Sequence, residues 1–258
     1  MRADNNLNWV ECLSWDQVAA RISNGAAAIL PIGAGAKQHG FHMPMNTDRI
    51  QAEALASKIA ERIDVLIWPS ANYGHYPAFA QYAGSCSLSA SSFETMIEEI
   101  VTALVGYGCA AVFILDTGIS TIAPVSRALE RVASSRTVHL RIHDGPRYRI
   151  ARERVAEQSY GSHADELETS LMLALAPDVV EMSRAEPSPA SAQDSPGALT
   201  PSDTASSGYS RSGSFCDPTL ATRAKGEILL SAMVDDLVEQ ASRFCARESV
   251  ASRHENTL

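Results

Sequence analysis

Short, uninterrupted apolar segments alternate with amphipathic segments along most of the chain, and this alternation most constrains its fold. The segment Ala26–Ile32 reads Ala-Ala-Ala-Ile-Leu-Pro-Ile and is followed by Gly33. Such a continuously apolar strand is typical of a parallel sheet covered by helices on both faces. Further strands are predicted at Val65–Trp68, Ala110–Leu115 and Val138–Ile142, and helices at Ile50–Ile63, Ser92–Tyr107, Ala123–Ala133 and Ala221–Arg243. The sequence therefore predicts an α/β fold with a mainly parallel sheet.

A single domain is expected over residues 1–258. A chain of this length with 45% hydrophobic residues can bury a large core without a second domain. The stretch 185–214 is crowded with Ser, Pro, Ala and Gly and has no apolar period, which predicts an irregular loop that serves as a linker or as a flap. The polar residues at 249–258 predict a loose tail.

Charge and cysteine content narrow the class of partner. The net charge of -9 argues against nucleic-acid and membrane partners, which need clustered Lys and Arg, and favours a small-molecule substrate. The five cysteines are scattered and form no Cys-x-x-Cys pair. No apolar run approaches the roughly 18 residues that cross a bilayer. A soluble, cytoplasmic protein is expected.

The segment Lys37–Asp48 sets imidazoles and a carboxylate just beyond the strand Ala26–Ile32. His39 and Asp48 are nine residues apart across a turn that contains Pro44, so the chain can fold back and bring both side chains together. Imidazole and carboxylate together suit Zn, Mn or Fe. The alternative is that His39 caps a neighbouring helix. His42 is interpreted as a hydrogen-bonded structural residue.

A second cluster lies where an apolar helix begins, at Ser162–Ser170. His163 and Glu168 are five residues apart, so one can precede the first helical turn while the other projects from it toward the same pocket. Asp165 and Glu166 are interpreted as first-turn carboxylates that the helix dipole favours.

Three further residues are candidates for the pocket lining. Tyr73, His75 and Tyr76 follow a predicted strand, where the carboxyl edge of a parallel sheet binds ligands. Packing is the alternative explanation for these rings. Asp116 stands at the tip of the strand Ala110–Leu115 and offers another oxygen.

The order of these motifs resembles the creatininase (creatinine amidohydrolase) family. The matching blocks are Leu30-Pro31-Ile32-Gly33, Gln38-His39-Gly40-x-His42-x-Pro44, Thr47-Asp48, Tyr73-Gly74 with Pro77, Gly84-Ser85-Cys86-Ser87-Leu88, His163–Ser170, Asp217–Thr222 and Lys225-Gly226-Glu227. The similarity spans about Leu30 to Glu227, and several blocks in the same order are a specific signal.

The resemblance implies a three-layer α/β/α sandwich that often assembles as a hexamer, so a homo-oligomer is expected. It further implies one or two divalent metal ions and hydrolysis of a C–N bond in a cyclic amide or a related substrate. Transferred to this sequence, His39 and Asp48 match metal ligands and Glu168 is a further ligand. His163 matches the histidine that handles protons.

Two positions depart from the family pattern. The family's opening Glu falls at or beside Lys37 and Gln38, and its Asn-Gly-His motif is replaced by Asp116-Thr117-Gly118. An ammonium repels a dication and glycine has no ligand atom, so we expect one divalent ion rather than two. Gln38 and Asp116 are auxiliary oxygen donors.

The resulting prediction is a metal-dependent amidohydrolase acting on a small amide, in which an activated water attacks and His163 protonates the departing nitrogen. Two alternatives remain open. The same fold could form an amide bond from an amine and an acyl donor. It could also be a metal-free pseudoenzyme that serves as a scaffold or a small-molecule binder.

Overall fold

The centre of the fold is a parallel sheet. The computed structural model describes residues 6–188 and 197–255. Within them the strands are β1 Ala27–Ile32, β2 Val65–Ile67, β3 Val112–Asp116 and β4 Thr137–Arg141, in the order β2-β1-β3-β4. Ile29 of β1 aligns with Ile67 on one side and with Phe113 on the other. All three pairings are parallel, which confirms the predicted sheet.

Helices cover both faces of this sheet. They are α1 Trp15–Ser23, α2 Thr47–Ala60, α3 Ala90–Gly106, α4 Ile122–Val132, α5 Pro146–Val155, α6 Glu166–Leu175 and α7 Arg223–Glu255. Short 3-10 helices lie at Asn6–Asn8, Val10–Cys12, Pro77–Phe79, Pro177–Val179, Met182–Arg184 and Pro218–Leu220. None of the helices in these ranges combines the length and apolar character that crossing a bilayer requires.

Alternate side chains of β1 enter two separate apolar layers, because successive residues of a strand point to opposite faces. Ala27 and Ile29 pack in the cluster that includes α2, α5, α6 and α7. Ala28 and Leu30 pack in the cluster that includes α3 and α4. The predicted three-layer α/β/α sandwich is confirmed.

Helix α2 begins at Thr47, three residues before its predicted start. The Thr47 hydroxyl donates to the Pro44 carbonyl at 2.8 Å, and this closes the turn that leads into the helix. Asp48 therefore lies in the first turn of α2 rather than in the loop before it.

The C-terminal end differs from the predicted loose tail at 249–258. Helix α7 continues to Glu255. The sequence beyond Arg243 contains neither glycine nor proline, so the backbone hydrogen bonds can continue. Residues 256–258 lie outside the described ranges. In the irregular stretch predicted at 185–214, the described parts 185–188 and 197–214 contain no helix or strand.

Candidate metal centre

His39 lies in the loop between β1 and α2 and is fully buried. Its Nδ1 lies 2.8 Å from the backbone oxygen of Lys37. A carbonyl oxygen can only accept, so Nδ1 carries the proton and donates it there. In the neutral ring, Nε2 then presents a lone pair, and it faces Asp48 Oδ1 at 3.0 Å. Two acceptors this close require a proton or a cation between them.

Asp48 is held in place from its other side by Lys37. The ammonium Nζ of Lys37 lies 2.7 Å from Asp48 Oδ2, and both side chains are less than one tenth exposed. Burial alone would raise the pKa of the Asp48 carboxyl, but the Lys37 ammonium outweighs it and holds this pKa below its ordinary range. Asp48 is therefore a carboxylate with Oδ1 directed at His39.

The second cluster enters from the start of α6. Asp165 caps this helix by accepting from the backbone amides of Leu167 and Glu168, and this fixes the first turn. Glu168 Oε2 accepts from the Ala164 amide at 2.6 Å. Its Oε1 lies 3.7 Å from His39 Nε2.

His163 repeats the arrangement of His39. Its Nε2 lies 2.9 Å from the backbone oxygen of Gln38 and 3.1 Å from the nitrogen of the Gln38 side-chain amide. The carbonyl oxygen can only accept and is the nearer of the two, so we assign the Nε2 proton to it, which leaves the Nδ1 lone pair 3.8 Å from Glu168 Oε2. Burial, together with the Lys37 ammonium, holds the pKa of His163 well below its ordinary value. The ring is therefore neutral at pH 7 and its Nδ1 is an acceptor.

Three of these side chains, His39, His163 and Glu168, have the chemistry and the spacing of metal ligands, and Asp48 offers a further carboxylate oxygen beside His39. Ligand atoms of His39, His163 and Glu168 lie within 4.8 Å of one another, and Asp48 Oδ1 adjoins them through His39. In a tetrahedral zinc site with bonds of about 2.0–2.1 Å, neighbouring ligand atoms are about 3.3 Å apart. Each histidine also donates its other N–H to a carbonyl, as metal-bound histidines usually do. The residues present therefore fit a divalent ion.

The two predicted auxiliary oxygens have other partners. The side chain of Gln38 accepts from the Gly40 amide and donates to the Gly213 carbonyl, at 2.9 Å in both cases. Asp116 Oδ1 accepts from the Thr121 hydroxyl at 2.6 Å. Asp116 Oδ2 lies 2.9 Å from His139 Nε2. Gln38 therefore positions the covering segment, and Asp116 organises the end of β3.

Of the three predicted pocket residues, one lies beside the centre. Tyr76 is buried and lines a cavity of about 10 Å³ together with Lys37 and Asp48. Its hydroxyl donates to the Cys86 carbonyl at 2.6 Å, and burial is the main cause that raises its pKa to about 12. Tyr73 is 53% exposed, and the His75 ring is bonded to the Leu88 carbonyl. Neither borders this cavity.

Of the residues that cover the centre, Phe79 was not singled out from the sequence, whereas the segment 210–215 overlaps the stretch 185–214 that was predicted as a linker or a flap. The Phe79 ring stacks on His163 with centroids 4.1 Å apart, and the ammonium of Lys37 lies 5.1 Å from the same ring. The segment 210–215 packs over Gln38 and pairs with His163 through Phe215. Phe79 lies two residues after Pro77, the last residue of a matching family block, and no other feature of the sequence marked it.

Comparison with known proteins identifies the family. The model of the family described as "Creatininase: Creatinine amidohydrolase" matches residues 11–241, and the chain belongs to this family. The family also confirms the predicted class of enzyme, a hydrolase.

Two relatives and two solved structures illustrate the similarity. Creatinine amidohydrolase of Pseudomonas putida is 26% identical over 249 residues, covering 88% of this chain and 93% of that protein. Mycofactocin precursor peptide peptidase of Mycobacterium tuberculosis is 26% identical over 240 residues, covering 86% of this chain and 87% of that protein. A structure described as creatininase Mn has a TM-score of 0.80 at 25% identity, covering 90% and 96%. A mutant creatininase of Zn-Zn type has a TM-score of 0.77 at 24% identity, covering 90% and 96%.

Proposed function

We propose that this chain is a metal-dependent amidohydrolase that cleaves a C–N bond of a small amide. One divalent ion, Zn, Mn or Fe, would be held by His39, Asp48 and Glu168. The observation that carries this proposal is the direction of the His39 lone pair: Nε2 faces Asp48 Oδ1 at 3.0 Å and Glu168 Oε1 at 3.7 Å. An acceptor that faces two carboxylates in a buried site calls for a cation.

A divalent ion there would supply a charge that makes water a nucleophile near neutral pH and polarises a carbonyl. The protein's own contribution is proton transfer. Neutral His163 can accept a proton at Nδ1 as water attacks the amide, and the same atom can then deliver that proton to the departing nitrogen. The hydrogen bond from Nε2 to the Gln38 carbonyl fixes the ring in the tautomer that this requires.

Burial of the centre supports a small substrate. His39 is 0% exposed and His163 is 5% exposed, beneath Phe79 and the segment 210–215. The adjoining cavity of about 10 Å³ has room for about one water molecule, so a substrate enters only when this cover opens, and a small cyclic or linear amide needs a smaller opening than a folded polypeptide. The peptidase relatives make a short peptide the second candidate substrate. Amide formation in the reverse direction would use the same residues.

We also propose a single-domain, cytoplasmic and homo-oligomeric protein. Both apolar layers pack on the same sheet, which supports a single domain. The absence of a disulfide at Cys12, Cys86, Cys109 and Cys216 agrees with a reducing compartment. The oligomeric state is measured by light scattering of the purified protein.

Metal content and turnover test the proposed function together. Protein purified without chelator is expected to hold one Zn, Mn or Fe per chain by elemental analysis. It should hydrolyse at least one member of a panel of creatinine, other cyclic amides and short peptides. A chelator should abolish this hydrolysis, and the metal should restore it. Protein that neither holds a divalent ion nor gains hydrolysis from one would be the metal-free pseudoenzyme instead.

Replacing His163 distinguishes a proton carrier from a ligand. His163→Ala is expected to keep its metal and to lose roughly 10²- to 10⁴-fold in turnover, the usual contribution of general acid–base catalysis. Loss of the metal from this variant would instead make His163 a ligand. Metal content by elemental analysis and kcat on the same preparation decide between the two roles.

A further inference from the structure

We propose that the ammonium of Lys37 replaces a second metal ion together with its carboxylate ligand, and that it binds the substrate oxygen that becomes negative during the reaction. This inference rests on the proposed one-metal function and extends it. Lys37 would thus stabilise the negative oxygen, a role that the family pattern gives to a metal ion.

The Lys37 ammonium lies where a second metal ion would contact Asp48. Lys37 Nζ lies 2.7 Å from Asp48 Oδ2, while Asp48 Oδ1 faces His39. One carboxylate thus has its two oxygens turned to two different sites. A cation would sit at the His39 side, and the protein supplies its own cation at the other side. In a two-metal centre, a bridging carboxylate would use its oxygens in the same way.

The net charge of the centre also agrees with this replacement of a metal ion by Lys37. A carboxylate and a divalent ion together carry one positive charge, and so does one ammonium. The family's opening Glu falls at or beside Lys37, so a lysine there can remove the ligand and the ion while leaving the net charge of the site unchanged. A cation in a buried site stabilises a developing oxyanion strongly, since little solvent screens it.

The packing around Gly118 also disfavours a second metal ion. A Cβ atom at Gly118 would lie 2.4 Å from Thr121 Oγ1. The Thr121 hydroxyl is itself held by its bond to Asp116. A ligating side chain at position 118 therefore has no room unless Thr121 moves, so the substitutions at 37 and 118 act in the same direction.

The ammonium also retains unused hydrogen-bonding capacity. An ammonium has three N–H donors. Among the residues that the structure describes, the ion pair with Asp48 is the one polar contact of Nζ, and the Phe79 ring covers another side at 5.1 Å. Lys37 also borders the small cavity lined by Tyr76, Gly118 and Thr121. A carbonyl oxygen or a carboxylate is the ligand that such a buried cation binds best.

Cobalt titration and kinetics of Lys37→Met test this proposal. The wild-type protein is expected to bind one Co²⁺ per chain, followed by visible absorption and elemental analysis. Lys37→Met should also bind one Co²⁺, at least tenfold more tightly, because a neighbouring positive charge has been removed. Its kcat/KM should nevertheless fall at least 100-fold with the metal bound. A merely structural lysine would weaken metal binding and leave the loaded enzyme active.

Two further variants complete the experiment. Lys37→Glu removes the ammonium and adds a carboxylate, but position 118 still lacks a ligand, so this variant is expected to bind one Co²⁺ per chain and to lose at least 100-fold in kcat/KM; full activity would overturn the proposal. Lys58→Met, on the partly exposed face of α2, is the matched control and should behave as wild type. Two ions in the wild-type protein, or full activity of Lys37→Met, would also overturn the proposal. Wild-type and control proteins that bind no metal would instead overturn the proposed function.

Discussion

The variant His39→Ala is expected to lose its metal and its hydrolytic activity. His39 Nε2 lies close to both carboxylates, at 3.0 Å from Asp48 and 3.7 Å from Glu168. Loss of a hydrogen bond behind a metal ligand costs about 10- to 100-fold in affinity or activity, and loss of the ligand itself costs more. We therefore expect metal affinity to fall more than 100-fold, measured by competition with a chromophoric chelator.

The control for this variant is Lys58→Met, on the partly exposed face of α2. This substitution should leave metal content and turnover unchanged. His39→Ala protein that is folded by circular dichroism and still holds stoichiometric metal would show that His39 is the helix-capping residue considered above, and not a ligand.

Replacing Gly226 by alanine is expected to produce the largest loss of stability. Gly226 lies in α7 where this helix crosses α6, and a Cβ atom there would lie 1.8 Å from the backbone oxygen of Ser170. A backbone atom cannot rotate aside, so the two helices must separate. Overpacking of a core typically costs 1–3 kcal/mol. We expect about 3 kcal/mol of unfolding free energy to be lost, with a fall in Tm of roughly 6–12 °C.

Gly106→Ala is the matched control, because it makes the same substitution at the last residue of α3. No atom outside its own helix and its chain neighbours lies within 4 Å of a Cβ there. Alanine favours a helix over glycine by about 0.5–1 kcal/mol, so this variant should be unchanged or slightly more stable. Urea unfolding of both variants measures the difference. Equal midpoints would mean that α6 and α7 are not in the close contact described.

The sequence was sufficient for the parts of the fold that depend on local pattern. The apolar run at β1 and the glycines after it placed the sheet edge that carries His39. The spacing of His39 and Asp48 across Pro44 predicted that the two side chains meet, and they do, at 3.0 Å. The starts of α2 and α3 were placed three and two residues too late, and the end of α7 too early. For α2, the Thr47 hydroxyl bond that closes the preceding turn has no strong sequence signature.

Contacts between distant segments could not be predicted in this way. Nothing near Lys37 indicates whether its flexible chain turns toward Asp48 or away from it, and the answer depends on the burial of both. The contact of the Phe79 ring with His163 joins two loops, and no sequence periodicity predicts that they meet. Asp116 was expected to offer an oxygen, yet Thr121 and His139 already occupy its carboxylate.

Two consecutive peptide carbonyls orient both histidines: Lys37 O accepts from His39, and Gln38 O accepts from His163. The second of these bonds joins residues 125 positions apart. The centre therefore cannot form in an early folding intermediate that contains only the first strands, and it is complete only when α6 has docked. A ligand that binds only the native state stabilises it, by about 2.7 kcal/mol at 100 times its Kd. Bound metal should accordingly report on the folding of the whole chain, and it should be released together with global unfolding.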